Sequence, residues 1–175
     1  MNKIISVAVI IALCLGFSSC KIYSFKDVSI PAEVKSIHIS YIENRAPLVN
    51  PQLAPQLNDA LRQKINNQAS RLAQIQTSDA DYEVSGWVAG YSYSTSGVSN
   101  QQASTNRLTV TVHIVFKNHL DPTGKKVAPA DFETDVTRNF DFSAQTTITD
   151  AEPQLMPTIV SNLTDEIFNK LFSNW

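Results

Sequence analysis

Four carboxylates, Asp131, Glu133, Asp135 and Asp141, recur at odd positions of one segment, a spacing that puts them on a single face of a strand. Carboxylate oxygens gathered in that way suit Ca2+, but an alternating row of this kind is the ordinary solvated face of a strand, and no metal is expected. The three histidines, His38, His113 and His119, are scattered over separate segments and make no ligand set. Gly90-Tyr91-Ser92-Tyr93-Ser94 begins like the elbow that presents a nucleophilic serine. Ser94 stands where a second glycine is needed, and the segment continues as a strand without entering a helix. Walker loops, dinucleotide fingerprints, C-x-x-C and H-E-x-x-H spacings are absent. The residues therefore point to no catalytic centre and no cofactor, and the protein reads as a non-enzyme.

Two other sets suit binding. Arg107, Lys117, Lys125 and Lys126 could meet the phosphates of an anionic lipid through charge-assisted hydrogen bonds, although solvated edge protection is their commoner use. Trp87, Tyr91 and Tyr93 fall at odd positions opposite Tyr82, Val84 and Val88, so regular alternation puts them together on the face turned away from the core. An aromatic patch of that kind often marks a partner-binding surface, and its equally common use is a second small core under a loop.

The elements that must position these groups follow from periodicity. Val34 to Ile42 reads as a first strand, with Ile37, Ile39 and Tyr41 on one face. Leu53, Leu57, Leu61 and Ile65 recur every fourth residue in polar surroundings and make a one-sided helix, with Pro51 or Pro55 near its start. Two long alternating strands run from Tyr82 to about Tyr93 and from Arg107 to Lys117, joined by a small, polar stretch, Ser94 to Thr105, that reads as a flexible loop or hairpin tip. Asp121-Pro122-Thr123-Gly124 fits a type I turn before a fourth strand, Phe132 to Phe142. Asp150 is placed to cap a last helix with an apolar stripe of Met156, Ile159, Val160, Leu163, Ile167 and Leu171. The order β-α-β-β-β-α predicts an α+β two-layer sandwich: a four-stranded, mostly antiparallel sheet with two helices on one face. The first two strands are separated by a helix, which makes their connection a candidate parallel crossover.

Location is written in residues 1–20. Lys3 precedes an apolar run from Ile4 to Phe17, too short to span a bilayer, and Ser18-Ser19-Cys20 ends it with small residues and a cysteine. The ending resembles a bacterial lipobox, which implies a signal peptide over 1–19, acylation of Cys20 and stable membrane attachment without a spanning helix. A lipidated linker over 20–32 and one domain over 33–175 complete the expected organisation. The chain carries 14 basic and 16 acidic residues, and the mild acidity argues against nucleic acid as a partner. With Cys14 leaving in the signal and Cys20 acylated, no internal disulfide can form, so stability must come from the core.

Over nearly its full mature length the chain resembles the LptE family of lipopolysaccharide-assembly lipoproteins, in the form found in Bacteroidetes. The resemblance rests on Cys20-Lys21-Ile22-Tyr23-Ser24-Phe25, on Asn44-Arg45-Ala46-Pro47 to Pro51 leading into the first helix, on Arg107-Leu108-Thr109-Val110-Thr111-Val112, and on the ending Asp165 to Trp175. It implies a lipoprotein of the outer membrane, facing the periplasm, that assembles and plugs the LptD β-barrel and assists delivery of lipopolysaccharide to the surface. No lipopolysaccharide-contacting residue of the family aligns here, so none is carried over. The competing resemblance is to ABC-type transport auxiliary or curli-secretion-like lipoproteins, which share the lipobox, opening strand and amphipathic helix.

Overall fold

The computed structural model describes residues 30–99, 102–120 and 129–172. The signal, Cys20, the Asp121–Gly124 turn, Lys125 and Lys126 lie outside the described residues. β-Branched and aromatic residues at alternate positions build a six-stranded mixed sheet from β1 (Ser36–Ile39), β2 (Glu43–Asn44), β3 (Ala73–Ile75), β4 (Tyr82–Ser99), β5 (Gln102–Asn118) and β6 (Phe132–Ser143). Its order is β3-β1-β4-β5-β6, with β2 also paired to β4. β1 runs parallel to both β3 and β4, as the intervening helix requires, while β4, β5 and β6 are antiparallel neighbours. The two strands beyond the expected four are β2 and β3, two and three residues long, too short to leave a periodic signature.

Two helices, α1 (Leu53–Gln68) and α2 (Ile148–Phe172), share a core with one face of the sheet. Leu53, Leu57, Leu61 and Ile65 from α1, and Ile159, Leu163, Ile167 and Leu171 from α2, are fully buried with Ile37, Val84, Val112 and Ile114 from the strands. Each such side chain contributes about 1.5–3 kcal/mol by leaving water. Lys64 ties the helices together, its Nζ donating to Asp165 Oδ1 at 2.7 Å. Thr147 caps α2: its Oγ1 accepts the Asp150 amide at 3.3 Å and donates to the Asp150 carboxylate at 2.7 Å. The cap thus stands three residues before the expected Asp150, which instead closes a reciprocal capping pair from the first turn.

One local expectation is overturned and another is resolved between its two alternatives. The first strand is not continuous, because Ile39 opposes Val84 whereas Glu43 opposes Trp87, a one-residue change of register. The slip exposes Tyr41 to 55% and buries Ile42 instead. Of the two forms expected for the Ser94 to Thr105 stretch, the hairpin is the one found: pairing continues through Ser94↔Arg107, Gly97↔Thr105 and Ser99↔Gln102, with irregularities beside Gly97. Backbone hydrogen bonds carry this ladder, so small polar side chains suffice where no core has to be covered.

Candidate functional site

The strand that holds the aromatic residues carries one extra residue. Val88 opposes Val112 and Gly90 opposes Thr111, so Ala89 is a bulge on β4 and the facing of the residues from Gly90 to Thr95 is inverted. Tyr91 consequently opposes Val110, and Tyr93 opposes Leu108, both on the helix side. The three aromatics therefore do not share a face, as unbroken alternation requires. Trp87 stays on the outer face, Tyr91 is buried, and Tyr93 emerges beyond the core at 44% exposure.

On the outer face a single row crosses four strands in register, Glu43↔Trp87↔His113↔Asp135. The Arg45 guanidinium lies 4.9 Å from the centroid of the Trp87 ring, and His113 stacks on that ring at 4.3 Å with 28° between planes. His113 Nδ1 meets Asp135 at 2.7 Å, and its Nε2 lies 3.6 Å from Glu133. Gly86, one residue before Trp87, is needed for this close approach of β4 and β5, since a Cβ there would lie 2.2 Å from the His113 carbonyl oxygen.

The helix side of the bulge is built differently. Tyr91 Oη donates to Glu152 on α2 at 2.7 Å, and Asn50, just before α1, reaches the same oxygen at 3.5 Å. Burial, reinforced by the Glu152 carboxylate that accepts its hydrogen, pushes the Tyr91 phenol far above its ordinary pKa. Three polar side chains thus lock β4 to the starts of both helices. Past this lock, Tyr93, Thr95, Asn106, Phe142, Thr147 and Ile148 line an open groove under the hairpin. Leu48 and Val49, adjoining Asn50, are exposed to 40% and 56%.

Of the four basic residues considered for lipid phosphates, Arg107 and Lys117 are described and stand apart. Arg107 and Lys117 lie on one strand ten positions from each other, roughly 33 Å of extended chain. Arg107 is held by Asp141 in a two-bonded pair of 2.7 and 2.9 Å, which keeps that carboxyl below its usual range. Lys117 is exposed. The acidic row is likewise engaged in neighbouring contacts, with Asp131 accepting the Asn118 amide at 2.8 Å. Among the described residues no group of three or more His, Cys, Asp or Glu side chains is placed to hold a metal ion.

Comparison with known proteins decides the family. Residues 34–171 match the sequence profile described as LptE, lipopolysaccharide-assembly. The chain belongs to the LptE family. No curated protein matches it in a direct sequence comparison. Among solved structures, the LptE-family fold found here is similar to the rare lipoprotein B of Shewanella oneidensis, at 11% identity, a TM-score of 0.50 and coverage of 78% of this chain and 92% of that one. It is also similar to the hypothetical protein CT253 of Chlamydia trachomatis, at 6% identity, TM-score 0.51 and coverage of 81% and 99%. These likenesses concern fold alone.

Sequence reasoning missed Asp81, which anchors the parallel pair in this LptE-family sheet. Its Oδ2 accepts the Lys35 and Ser36 amides at 2.7 and 3.0 Å, and its own amide donates to Ser36 Oγ at 3.0 Å. Partial burial opposes ionisation, but those amide bonds, the Ser36 hydroxyl and the Lys35 charge outweigh it and hold the carboxyl below its ordinary pKa. A folded-state pKa below the unfolded one gives stability that is complete above the unfolded value and is lost as pH falls through the folded one. Asp81→Asn should therefore lose about 1 kcal/mol at pH 7, solvent screening limiting the effect, and the deficit against the parent should shrink on acidification to about pH 3. Urea unfolding at both pH values reads this directly, and a deficit that grows with acid would contradict it.

Proposed function

We propose that this chain is a lipid-anchored protein of the outer membrane of a Gram-negative bacterium, attached through Cys20 and facing the periplasm. There it assembles and plugs an LptD-type β-barrel and assists transport of lipopolysaccharide to the cell surface. The match of residues 34–171 to the LptE family supports this reading over the ABC-type auxiliary and curli-secretion-like alternative. Among the described residues no helix is long and apolar enough to cross a membrane, which is compatible with attachment through an acylated cysteine.

The proposed partner surface centres on the end of the fold where Tyr93, Leu48 and Val49 are exposed and the β4–β5 hairpin extends. Trp87 belongs to the adjoining outer face, and Tyr91 supports the surface from within by its bond to Glu152. Lys117, Lys125 and Lys126 are the proposed contacts for lipid phosphates, without Arg107, whose guanidinium Asp141 occupies. The role is binding and assembly, with no catalytic turnover.

Pull-down from detergent-solubilised membranes, with partners identified by mass spectrometry, tests the partner. An outer-membrane barrel of the LptD type is expected, and an inner-membrane transporter or a homo-oligomeric pore in its place would refute the reading. Cys20→Ala should release the protein from the membrane fraction or block its processing. Unchanged membrane retention and unchanged mobility of that variant would remove the anchor.

A further inference from the structure

The two edges of the sheet differ. One is made of β3 and β2, three and two residues long, and of the part of β4 beyond Val88, which is interrupted by the bulge at Ala89 and the irregularities beside Gly97. The other is β6, twelve residues without a proline, paired to β5 in an unbroken register from Thr105↔Ser143 to Phe116↔Phe132. Among the described residues β6 bonds to no other strand, so its second row of backbone N–H and C=O groups faces outward along a regular edge. Natural sheets keep such edges short, bulged or interrupted by proline, because a long regular edge is a template for another strand. β6 is neither short nor bulged nor interrupted by proline, and of the remaining common protection, charged side chains, it carries Glu133, Asp135, Arg138 and Asp141.

Its side chains are selective instead. Glu133, Asp135 and Asp141 stand exposed on the outer face, and their ion pairs with His113 and Arg107 all reach inward to β5. On the helix side, a polar cleft beside β6 is lined by Thr137, Arg138, Asn139, Asn162, Glu166 and Asn169, with Arg138 bound to Glu166. A second copy pairing antiparallel about Thr137 or Arg138, its helices on the same side, would set Asp141 against Glu133 or Asp135 of its neighbour, and like charges directly opposed are destabilising. The charges that disfavour self-pairing favour a strand of opposite sign.

We propose that the free edge of β6 receives an added β-strand from a partner protein, an extended segment carrying lysine or arginine at alternating positions. Backbone hydrogen bonds would supply affinity, and the outer-face carboxylates would supply selectivity.

Hydrogen exchange read by mass spectrometry on the full-length protein, purified from membranes in detergent, tests this with synthetic peptides. A peptide of alternating lysine and threonine, at about ten times its dissociation constant, should slow exchange over 132–143 by about tenfold. The same peptide N-methylated at alternate amides along each edge, and a glutamate–threonine counterpart, should leave exchange unchanged. Replacing Glu133 and Asp135 with lysine should move the preference to the glutamate peptide, and the parent's responses decide the matter if that variant does not fold. Equal protection by the methylated peptide would reduce the effect to charge attraction and overturn strand addition. Protection elsewhere, none at all, or a dimer already protected over 132–143 before peptide is added would overturn it as well.

Discussion

Leu61→Asp and Leu163→Asp should each abolish or nearly abolish folding at neutral pH. Both leucines are fully buried in the layer between the helices and the sheet. Shortening a buried leucine costs about 2–5 kcal/mol through lost burial and the cavity left behind. An unpaired carboxylate adds several kcal/mol unless it takes up a proton, and together these approach the roughly 5–15 kcal/mol that holds a domain folded. Desolvation raises the pKa of a buried carboxyl, so the penalty is largest above the raised value and eases as pH falls through it. Thermal unfolding at neutral and mildly acidic pH should show a collapse in the first and partial recovery in the second. Melting temperatures within a degree or two of the parent for both variants would mean that the helices do not share this core.

Asn58→Leu should lower stability by about 3 kcal/mol although it replaces a polar residue with an apolar one of similar size. Asn58 is 2% exposed on α1, and its Oδ1 accepts the Ile42 amide at 2.9 Å. Its Nδ2 donates to the Ile42 carbonyl at 3.0 Å and to the Ala54 carbonyl at 2.7 Å. Ile42 sits where the register of the opening strand slips, so the helix side chain takes the place of a strand neighbour. Leucine would leave a buried N–H and C=O unmatched, each at about 1–3 kcal/mol. Urea midpoints of the variant and parent check this, and a difference under about 0.5 kcal/mol would show that Asn58 only fills space.

These two substitutions also mark what could be read from the residues. Leu61 and Leu163 belong to apolar stripes at helical spacing, and burial of a stripe is decided by its own repeat, so helices, core and the single covered sheet face were legible. Asn58 lies between Ala54 and Leu61 at the same spacing, which is a signal that a polar side chain enters the core, but its partner depends on a register slip some sixteen positions away. Ala89 is harder still. A bulge leaves the local composition of a strand unchanged, and one extra residue turned Tyr91 inward to Glu152 while Trp87 stayed out. The pairing of Arg107 with Asp141 was equally hidden, because the register between β5 and β6 sets which charges meet. Long-range pairing, not local pattern, therefore determined where the candidate site differs from its expected form.

The proposed role in lipopolysaccharide assembly is tested most directly by depleting the protein in its bacterium and measuring lipopolysaccharide on intact cells with a surface-restricted label. Surface lipopolysaccharide should fall as the protein is lost, while total lipopolysaccharide persists inside the envelope, and re-expression should restore it. Unchanged surface lipopolysaccharide in fully depleted, growing cells would contradict that role.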